Sequence, residues 1–460
     1  MISLDDERLS SLAPCQRKAL ELINKGFNVC LHGPGGTGKS YLISKLVEIY
    51  GDGAVLVTAT TGTAAQNIGG YTLHSVLGIP VSNILSKKLS SLDESKTEVL
   101  RHEKVKILVV DEMSMLTPSM FFYIYKRIKN LSRKTPNYPA KHLQVVLVGD
   151  LLQCPPVMSS KDKAESEKVF GDQNFFKMIE FEEMNFRHVK LQQIHRQNEE
   201  EEQFKKCLQI LRRGGGTGPK AKAYVKAAID HLNKHCFDNG SSETVDDKTV
   251  FLCPVNKIVD SYNDKVYNAS SEKEVIFTGQ SANIFPEKDY IVPEFLKLKK
   301  GMQVMTLVND QYGRWVNGSV GEITTCDFNI CTVRFGQHSE YNIEPHKWEN
   351  KEPFVEKNEE GEEVIKERII GTYEQIPIRI CYALTGFKAQ GKTLERVSID
   401  LYGDQKKNAW NFCRSTPCLL YVMLSRATSI KKLRLEHPLS VSDVKTDKRL
   451  LHWLEGLDYD

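Results

Sequence analysis

The chain has 460 residues, 40% of them hydrophobic and 26% charged, with a formal net charge of +3. That length carries two or more domains with full cores, and the composition is that of a water-soluble globular protein. No run approaches 18 apolar residues and no apolar signal region opens the chain, which argues against a membrane span or export.

Residues 14–24 read as a helix with Pro14 in its first turn and Gly26 as its stop. The apolar run 28–31 reads as a buried parallel strand, and it feeds Gly33-Pro-Gly-Gly-Thr-Gly-Lys-Ser40. Residues 41–50 then carry apolar side chains at helical spacing. A glycine-rich loop between a strand and a helix is the setting in which G-x-x-x-x-G-K-[ST] binds phosphate. Gly33, Pro34, Gly35, Gly36, Thr37 and Gly38 would surround the anion. All but Pro34 offer it a backbone N–H; the proline has none and only shapes the turn. Lys39 would reach the terminal phosphates and the Ser40 hydroxyl a Mg²⁺ ion.

A second strand is expected at 54–58, followed by the small-residue loop 59–65. Residues 84–104 are polar and read as an exposed excursion from the sheet. Strands at 105–110 and 144–148 end in Asp111-Glu112 and Gly149-Asp150. Strands alternating with helices, with chemistry at their carboxyl ends, predict a parallel doubly wound α/β sheet. The stretch 212–219, Arg-Arg-Gly-Gly-Gly-Thr-Gly-Pro, carries the strongest linker signal. Beyond it a strand at 249–253 opens a second α/β set, which resumes at 378–383, 397–401 and 433–435. Short alternating segments with tight turns between 301 and 371 predict a small antiparallel barrel inserted in that second half. The Glu- and Lys-rich stretch 351–366 reads as a solvated hairpin tip or loop. The domains expected are therefore 1–198, 199–460 and an insert at 300–375.

Asp111 and Glu112 supply what a phosphate loop needs as a partner. One carboxylate holds Mg²⁺ and the next takes a proton from the attacking water. No Asn-Lys-x-Asp base-reading motif is present, which favours ATP over GTP. Arg196 and Arg426 are candidates for the positive charge that hydrolysis needs at its transition state, although on spacing alone each reads more readily as a surface or salt-bridge arginine. The eleven cysteines include no C-x-x-C, and neither Cys326/Cys331 nor Cys413/Cys418 has a second pair or a histidine at ligand spacing. They read as reduced thiols rather than a zinc site.

Residues 33–40, 58–75, 111–114, 149–157, 191–197, 385–394 and 421–428 run in the order of the helicase motifs of superfamily one. The series most resembles the petite-integration-frequency (PIF-type) DNA helicases, relatives of RecD. Its distinctive pieces are Thr58-Ala-Thr-Thr-Gly-Thr-Ala-Ala-Gln-Asn-Ile-Gly-Gly-Tyr-Thr-Leu-His-Ser75 and Gly149-Asp-Leu-Leu-Gln-Cys-Pro-Pro-Val157, with Val316-Asn-Gly-Ser-Val-Gly321 as a family-like turn. The resemblance implies two RecA-like domains and an ATP- and Mg²⁺-dependent DNA helicase moving 5′ to 3′. By the same resemblance Gln16 reads the adenine edge and Lys39 and Ser40 bind phosphate and metal. Asp111 holds the metal, Glu112 activates water, Gln153 senses the γ-phosphate, Arg196 and Arg426 act as fingers, and Gly391 lies at the nucleotide. Single-stranded DNA is expected at Thr60, Thr61, His74, Asn317, Thr385, Lys388 and Thr393. Where the family has His-Lys-Ser-Gln-Gly this chain has Phe387-Lys-Ala-Gln-Gly391, two polar groups fewer.

The expected substrates are single-stranded and forked or tailed duplex DNA, engaged by a monomer built as a bare helicase core. Replication or repair proteins are candidate partners, DNA repair, recombination, replication and telomere maintenance are the processes the resemblance suggests, and nucleus, nucleoid and cytosol all fit. An RNA helicase and a non-unwinding nucleic-acid scaffold stand as alternatives; simultaneous retention of Lys39, Asp111, Glu112, Arg196 and Arg426 argues against the scaffold.

Overall fold

The computed structural model describes residues 10–51, 53–79, 94–134, 139–156, 158–193, 201–238, 249–327, 330–336, 339–403 and 408–460. Its first module is a parallel sheet built from Val- and Leu-rich runs that are buried along nearly their whole length, because helices cover both faces. The strands are β1 (Val29–His32), β2 (Val55–Ala59), β3 (Tyr71–Thr72), β4 (Ile107–Asp111), β5 (Gln144–Gly149) and β6 (Arg187–Lys190). They lie in the order β3-β2-β4-β5-β1-β6, every pair parallel.

Helices α1 (Pro14–Asn24) and α2 (Lys39–Tyr50) bury Leu20, Ile23, Leu42 and Leu46 on one face. Short helices α3 (Gly62–Asn67) and α4 (Leu73–Leu77) follow β2, and α5 (Glu94–Arg101) and α6 (Pro118–Leu131) precede and follow β4. Side chains of α4, α5 and α6, among them Leu73, Leu77, Leu100, Phe121 and Ile124, fill the other face. The carboxyl ends of β1, β4 and β5 are neighbours, and there the phosphate loop, Asp111 and Gly149 meet. Of the expected excursion at 84–104, residues 84–93 lie outside the described residues, and the rest is α5 and its exit turn.

The second half opens with β7 (Val250–Cys253). Then come β8 (Val275–Thr278), β9 (Gln280–Asn283), β10 (Phe295–Leu298), β11 (Gln303–Thr306), β12 (Val320–Asp327), β13 (Ile330–Phe335) and β14 (Ser339–Asn342). The chain continues through β15 (His346–Lys357), β16 (Glu363–Gln375), β17 (Ile378–Ile380), β18 (Ala383–Thr385), β19 (Val397–Ile399) and β20 (Leu433–Leu435). Four of these make a parallel sheet, β18-β7-β19-β20.

The remainder form three antiparallel sheets, β14-β13-β12-β11-β17, β15-β16-β9 and β10-β8, over a shared core that includes Val304, Trp315, Ile323, Trp348 and Tyr373. This antiparallel region runs from β8 to β17, wider than the 300–375 expected, because β8 to β10 are short strands whose mostly exposed residues give little apolar signal. The expected strand at 378–383 is two: β17 pairs antiparallel with β11, and β18 joins the parallel sheet.

Two further differences concern connections. The stretch 212–219 is a tight turn between helices Glu202–Arg212 and Ala221–Asn233, both packed in the second core. Gly214, Gly215 and Gly216 all have positive φ, and a Cβ on Gly215 would sit 2.1 Å from the carbonyl oxygen of Ala221. The glycines serve a helix–helix corner, not a free linker. The helix Lys448–Glu455 returns to the first module, where Leu450 and Leu451 join its core and Tyr459 bridges to His188 beside β6. Among the described residues no helix is long and apolar enough to cross a membrane.

Candidate nucleotide site and nucleic-acid interface

The phosphate loop is shaped by its own glycines and hydrogen bonds. Gly36 and Gly38 hold φ of +85° and +78°, and a Cβ on Gly33 would stand 2.6 Å from Thr37 Oγ1. Gly35 shares the turn with Gly36 and is half-buried, but its φ is not positive. Its backbone shape alone therefore does not demand glycine, unlike that of Gly36 and Gly38, and it does not line the cleft beside Gln16 described below. What remains for Gly35 is the expected role, a bare N–H open to close approach by a phosphate. Thr37 Oγ1 donates to the Pro34 carbonyl at 2.9 Å, and α2 begins at Lys39, so its free N–H groups face the loop. Ser40 follows in the first turn of α2 and is exposed. Lys39 Nζ donates to the carbonyls of Gly33 and Pro34, 2.9 Å each. Burial lowers the Lys39 pKa, and the nearby carboxylates of Asp150, Glu112 and Asp111 oppose that shift.

At the end of β4, Asp111 is buried and its Oδ1 accepts from the Glu112 N–H at 2.8 Å. Burial first, then the Glu112 charge, pushes Asp111 up to about 6. Glu112 adopts a left-handed φ of +53°, an unusual conformation for a non-glycine residue and one that clusters at functional sites. Thr60 Oγ1 donates to the Glu112 carbonyl at 3.2 Å, and from the second half Gln390 Nε2 reaches Glu112 Oε2 at 3.3 Å.

Gln153 is buried, with Nε2 3.5 Å from Asp150 Oδ2. Asp150 in turn takes a two-pronged contact from Arg212, 3.0 Å to Nε and 2.5 Å to Nη2, with both partners buried. Sequence reasoning missed Asp150, Arg212 and Gln390 as participants. Asp150 and Gln390 stand inside recognised motifs, so a signal existed; Arg212 sat in a glycine-rich stretch whose composition concealed it.

On the other side of the loop, Gln16 Nε2 donates to the Gly38 carbonyl at 3.3 Å and Oε1 accepts from Ala13 N–H at 2.9 Å. Beside it opens a cleft of about 770 Å³ lined by Ala13, Gln16, Gly36, Gly38, Tyr41, Gln193 and Thr393. Thr393, expected at DNA, thus stands across from the nucleotide loop. Tyr41 and Gln193 are further lining residues that the motif reading passed over.

Arg426 is 1% exposed. Its Nε donates to the Val422 carbonyl at 2.8 Å, Nη1 to the Ala389 and Lys392 carbonyls at 3.3 and 3.0 Å, and Nη2 to Ser425 Oγ at 2.7 Å. In this arrangement the guanidinium clamps the 389–392 loop. Arg196 lies outside the described residues.

Of the positions expected at DNA, Thr60 is buried while Thr61 and His74 are half-buried near the mouth of the first sheet. Thr385 Oγ1 accepts from the Lys388 N–H at 3.3 Å and so caps the short helix that presents exposed Lys388. Asn317 Oδ1 accepts from Lys392 Nζ at 2.6 Å, tying the antiparallel region to the 385–393 loop. Phe387 is half-buried against the second core, its ring 6.5 Å from that of Phe412, so the residue that departs from the motif packs apolar surface. Gly391, with φ +79°, turns the chain just after it.

Residues 11–222 match the model of the family described as PIF1-like helicase. The ATP-dependent DNA helicase Pif1 of Bdellovibrio bacteriovorus is 30% identical over 97% of this chain and 93% of its own length. The chain belongs to the PIF1-like helicases. A Pif1 of Bacteroides sp. in complex with ADP-AlF4 superposes with a TM-score of 0.79 at 27% identity, covering 96% of both chains. The Bacteroides Pif1 bound to ssDNA gives 0.63 at 26% identity over the same shares. Family membership makes the two parallel sheets RecA-like modules of an ATP-driven DNA helicase, with the phosphate loop in the first.

Proposed function

We propose that this PIF1-like chain moves 5′ to 3′ along single-stranded DNA and opens forked or tailed duplexes, powered by Mg²⁺-dependent ATP hydrolysis between its two RecA-like modules. The observation that carries the reading is the junction at Glu112. A complete first-module set of Lys39, Asp111, Glu112 and Gln153 is touched there by Gln390, from the loop that the family resemblance assigns to DNA coupling.

The residues divide the work as follows. Lys39 exchanges the two loop carbonyls for the terminal phosphates, the N–H groups of Gly35 to Gly38 cradle them, and Gln16 and the cleft beside it take the base. Ser40 and Asp111 would hold Mg²⁺; a buried carboxylate beside a second carboxylate, raised by burial and like charge, fits that role. When bound, the ion neutralises charge on the phosphates. Glu112 accepts the proton of the attacking water. Gln153 reports the γ-phosphate through Asp150, and Arg426 and Arg196 bring positive charge as the modules close. Thr60, Thr61, His74, Asn317, Thr385 and Lys388 offer hydroxyl, amide and cationic groups to the DNA backbone. The excursion at 84–104, whose described part, α5 and its exit turn, packs on the β15–β16 hairpin, serves as the strand-separating wedge, and the working unit is a monomer.

Steady-state ATPase with and without single-stranded DNA, beside unwinding of 5′- and 3′-tailed duplexes, tests the reading. Strong stimulation and opening of the 5′-tailed duplex alone are expected, both lost on removal of Mg²⁺. Opening of the 3′-tailed duplex overturns the polarity, and stimulation by RNA but not DNA overturns the substrate.

A further inference from the structure

Four donor groups unused by nucleotide chemistry meet behind the phosphate loop. Cys30 and His32 alternate along β1 and so share one face of the sheet, and His188 on β6 is the register partner of Cys30. One ligand atom from each of the three lies within 4.8 Å of the other two. His32 Nε2 and His188 Nδ1 are 3.0 Å apart, and Met113 Sδ stands 3.5 Å from Cys30 Sγ. Cys30 and Met113 are fully enclosed, and the two imidazoles are no more than 9% exposed. His32 Nδ1 is buried and has no hydrogen-bond partner among the described residues. The imidazole pair accounts for one nitrogen on each ring and a thiol-to-thioether hydrogen bond for the two sulfurs, which leaves His32 Nδ1, among the described residues, as a buried ring nitrogen without a partner beside them.

We propose that Cys30, His32 and His188, with the Met113 thioether as a weaker fourth donor, form a binding site for a soft d¹⁰ metal ion, Zn²⁺ or Cu⁺. One thiolate, two imidazoles and a thioether are a set that Mg²⁺ does not select, so this site is chemically separate from Ser40 and Asp111. The neutral imidazole ring is the form that ligates. On binding, the Cys30 thiol gives its proton to solvent and its sulfur lone pair to the metal, with no change of oxidation state. The lid is aromatic: Trp453 lies 5.8 Å from His188 and 6.4 Å from His32, and Tyr459 lies 5.8 Å from His32, ring centre to ring centre. His32 directly precedes Gly33, so the ion would fasten β1 to β6 at the root of the phosphate loop. Residue spacing could not show the site, since its ligands come from strands and a turn far apart in sequence.

The test titrates the metal-free, reduced 460-residue chain with Co²⁺, as an optical stand-in for Zn²⁺, and separately with Cu⁺ against a chromophoric copper(I) chelator. One equivalent is expected in at least one arm, with a thiolate-to-cobalt charge-transfer band in the first and quenching of Trp453 fluorescence that Trp453→Phe abolishes. Cys30→Ser should remove the band, and Cys30→Ser and His188→Gln should each weaken binding by about tenfold or more. Cys413→Ser, a buried thiol in the second core, should leave binding intact. ATPase in the absence of added soft metal, within about twofold of wild type, verifies that each variant is folded. The proposal is overturned by the lack of stoichiometric binding in both arms, or by binding that survives both ligand substitutions. If either ligand variant fails to fold, the Trp453 quench in the unaltered ligand set decides, and its absence likewise overturns the site.

Discussion

At Asp150 a carboxylate and a guanidinium share a place that water scarcely reaches. The strand end of β5 delivers the acid, and the last turn of helix Glu202–Arg212 delivers the base from the second core. The mutual field raises Arg212 further above its already high range, against the opposing cost of burial. Such a pair contributes little net stability when whole, but a single survivor is a buried charge that has lost its hydrogen-bonded partner. Arg212→Met should therefore destabilise the chain by about 3–5 kcal/mol, while Asp150→Asn with Arg212→Met should recover much of that loss. Urea unfolding of the two variants checks it, and equal midpoints for single and double variants would show that the pair is screened by solvent. Because Asp150 also meets Gln153, the same pair fixes the expected γ-phosphate sensor and ties it to the second module.

Between elements, the long β15–β16 hairpin is the piece whose meaning changes most on folding. Its Glu and Lys residues read as solvated from the sequence, and many are: Lys366–Glu356 and Arg368–Glu352 pair across the strands. Yet Val355 and Ile365 pack on the core of the first module. His102 Nε2 lies 2.7 Å from the Glu363 carbonyl, and Tyr71 donates to Glu367. The hairpin thus leans on α5, the described part of the polar excursion, and residues 358–362 turn its tip. Val355→Asp combined with His102→Ala places a charge in that contact and removes its polar link. It should lower unwinding of a 5′-tailed duplex about tenfold while single-stranded-DNA-stimulated ATPase changes less than about twofold, and it should speed proteolysis at the tip, since local stability follows packing. Parallel loss of ATPase would remove the strand-separating role from this contact.

Across the whole molecule, what the sequence carried was whatever depends on local pattern. The runs at 54–58, 105–110 and 144–148 became β2, β4 and β5 within two residues at each end, because central parallel strands are apolar throughout. The phosphate loop and Asp111 were readable because their chemistry needs fixed residue types at fixed spacing. What escaped notice depends on tertiary contact: Arg212 on Asp150, helix Lys448–Glu455 on the first core, and Gln390 on Glu112.

That last contact is where the two modules share chemistry. The arrangement described is more similar to the Bacteroides Pif1 with ADP-AlF4 than to the one bound to ssDNA, by TM-scores of 0.79 and 0.63 at nearly equal identity. If DNA occupies the 385–393 loop as proposed, it would move Gln390 relative to Glu112. Among the described residues Gln390 Oε1 is buried without a partner, so the amide is held through Nε2 and can re-pair when the loop shifts. Gln390→Ala should then cut the fold-stimulation of ATPase by single-stranded DNA about tenfold, because the side-chain link from the 385–393 loop to the proposed general base is gone. Basal ATPase and the KM for ATP should change less than about twofold, since Lys39 and the base cleft are untouched. A variant that loses basal and stimulated rates together would place Gln390 in the hydrolysis step itself, and one with unaltered stimulation would mean that DNA speaks to Glu112 by another route, the Thr60 hydrogen bond to its carbonyl being the next candidate.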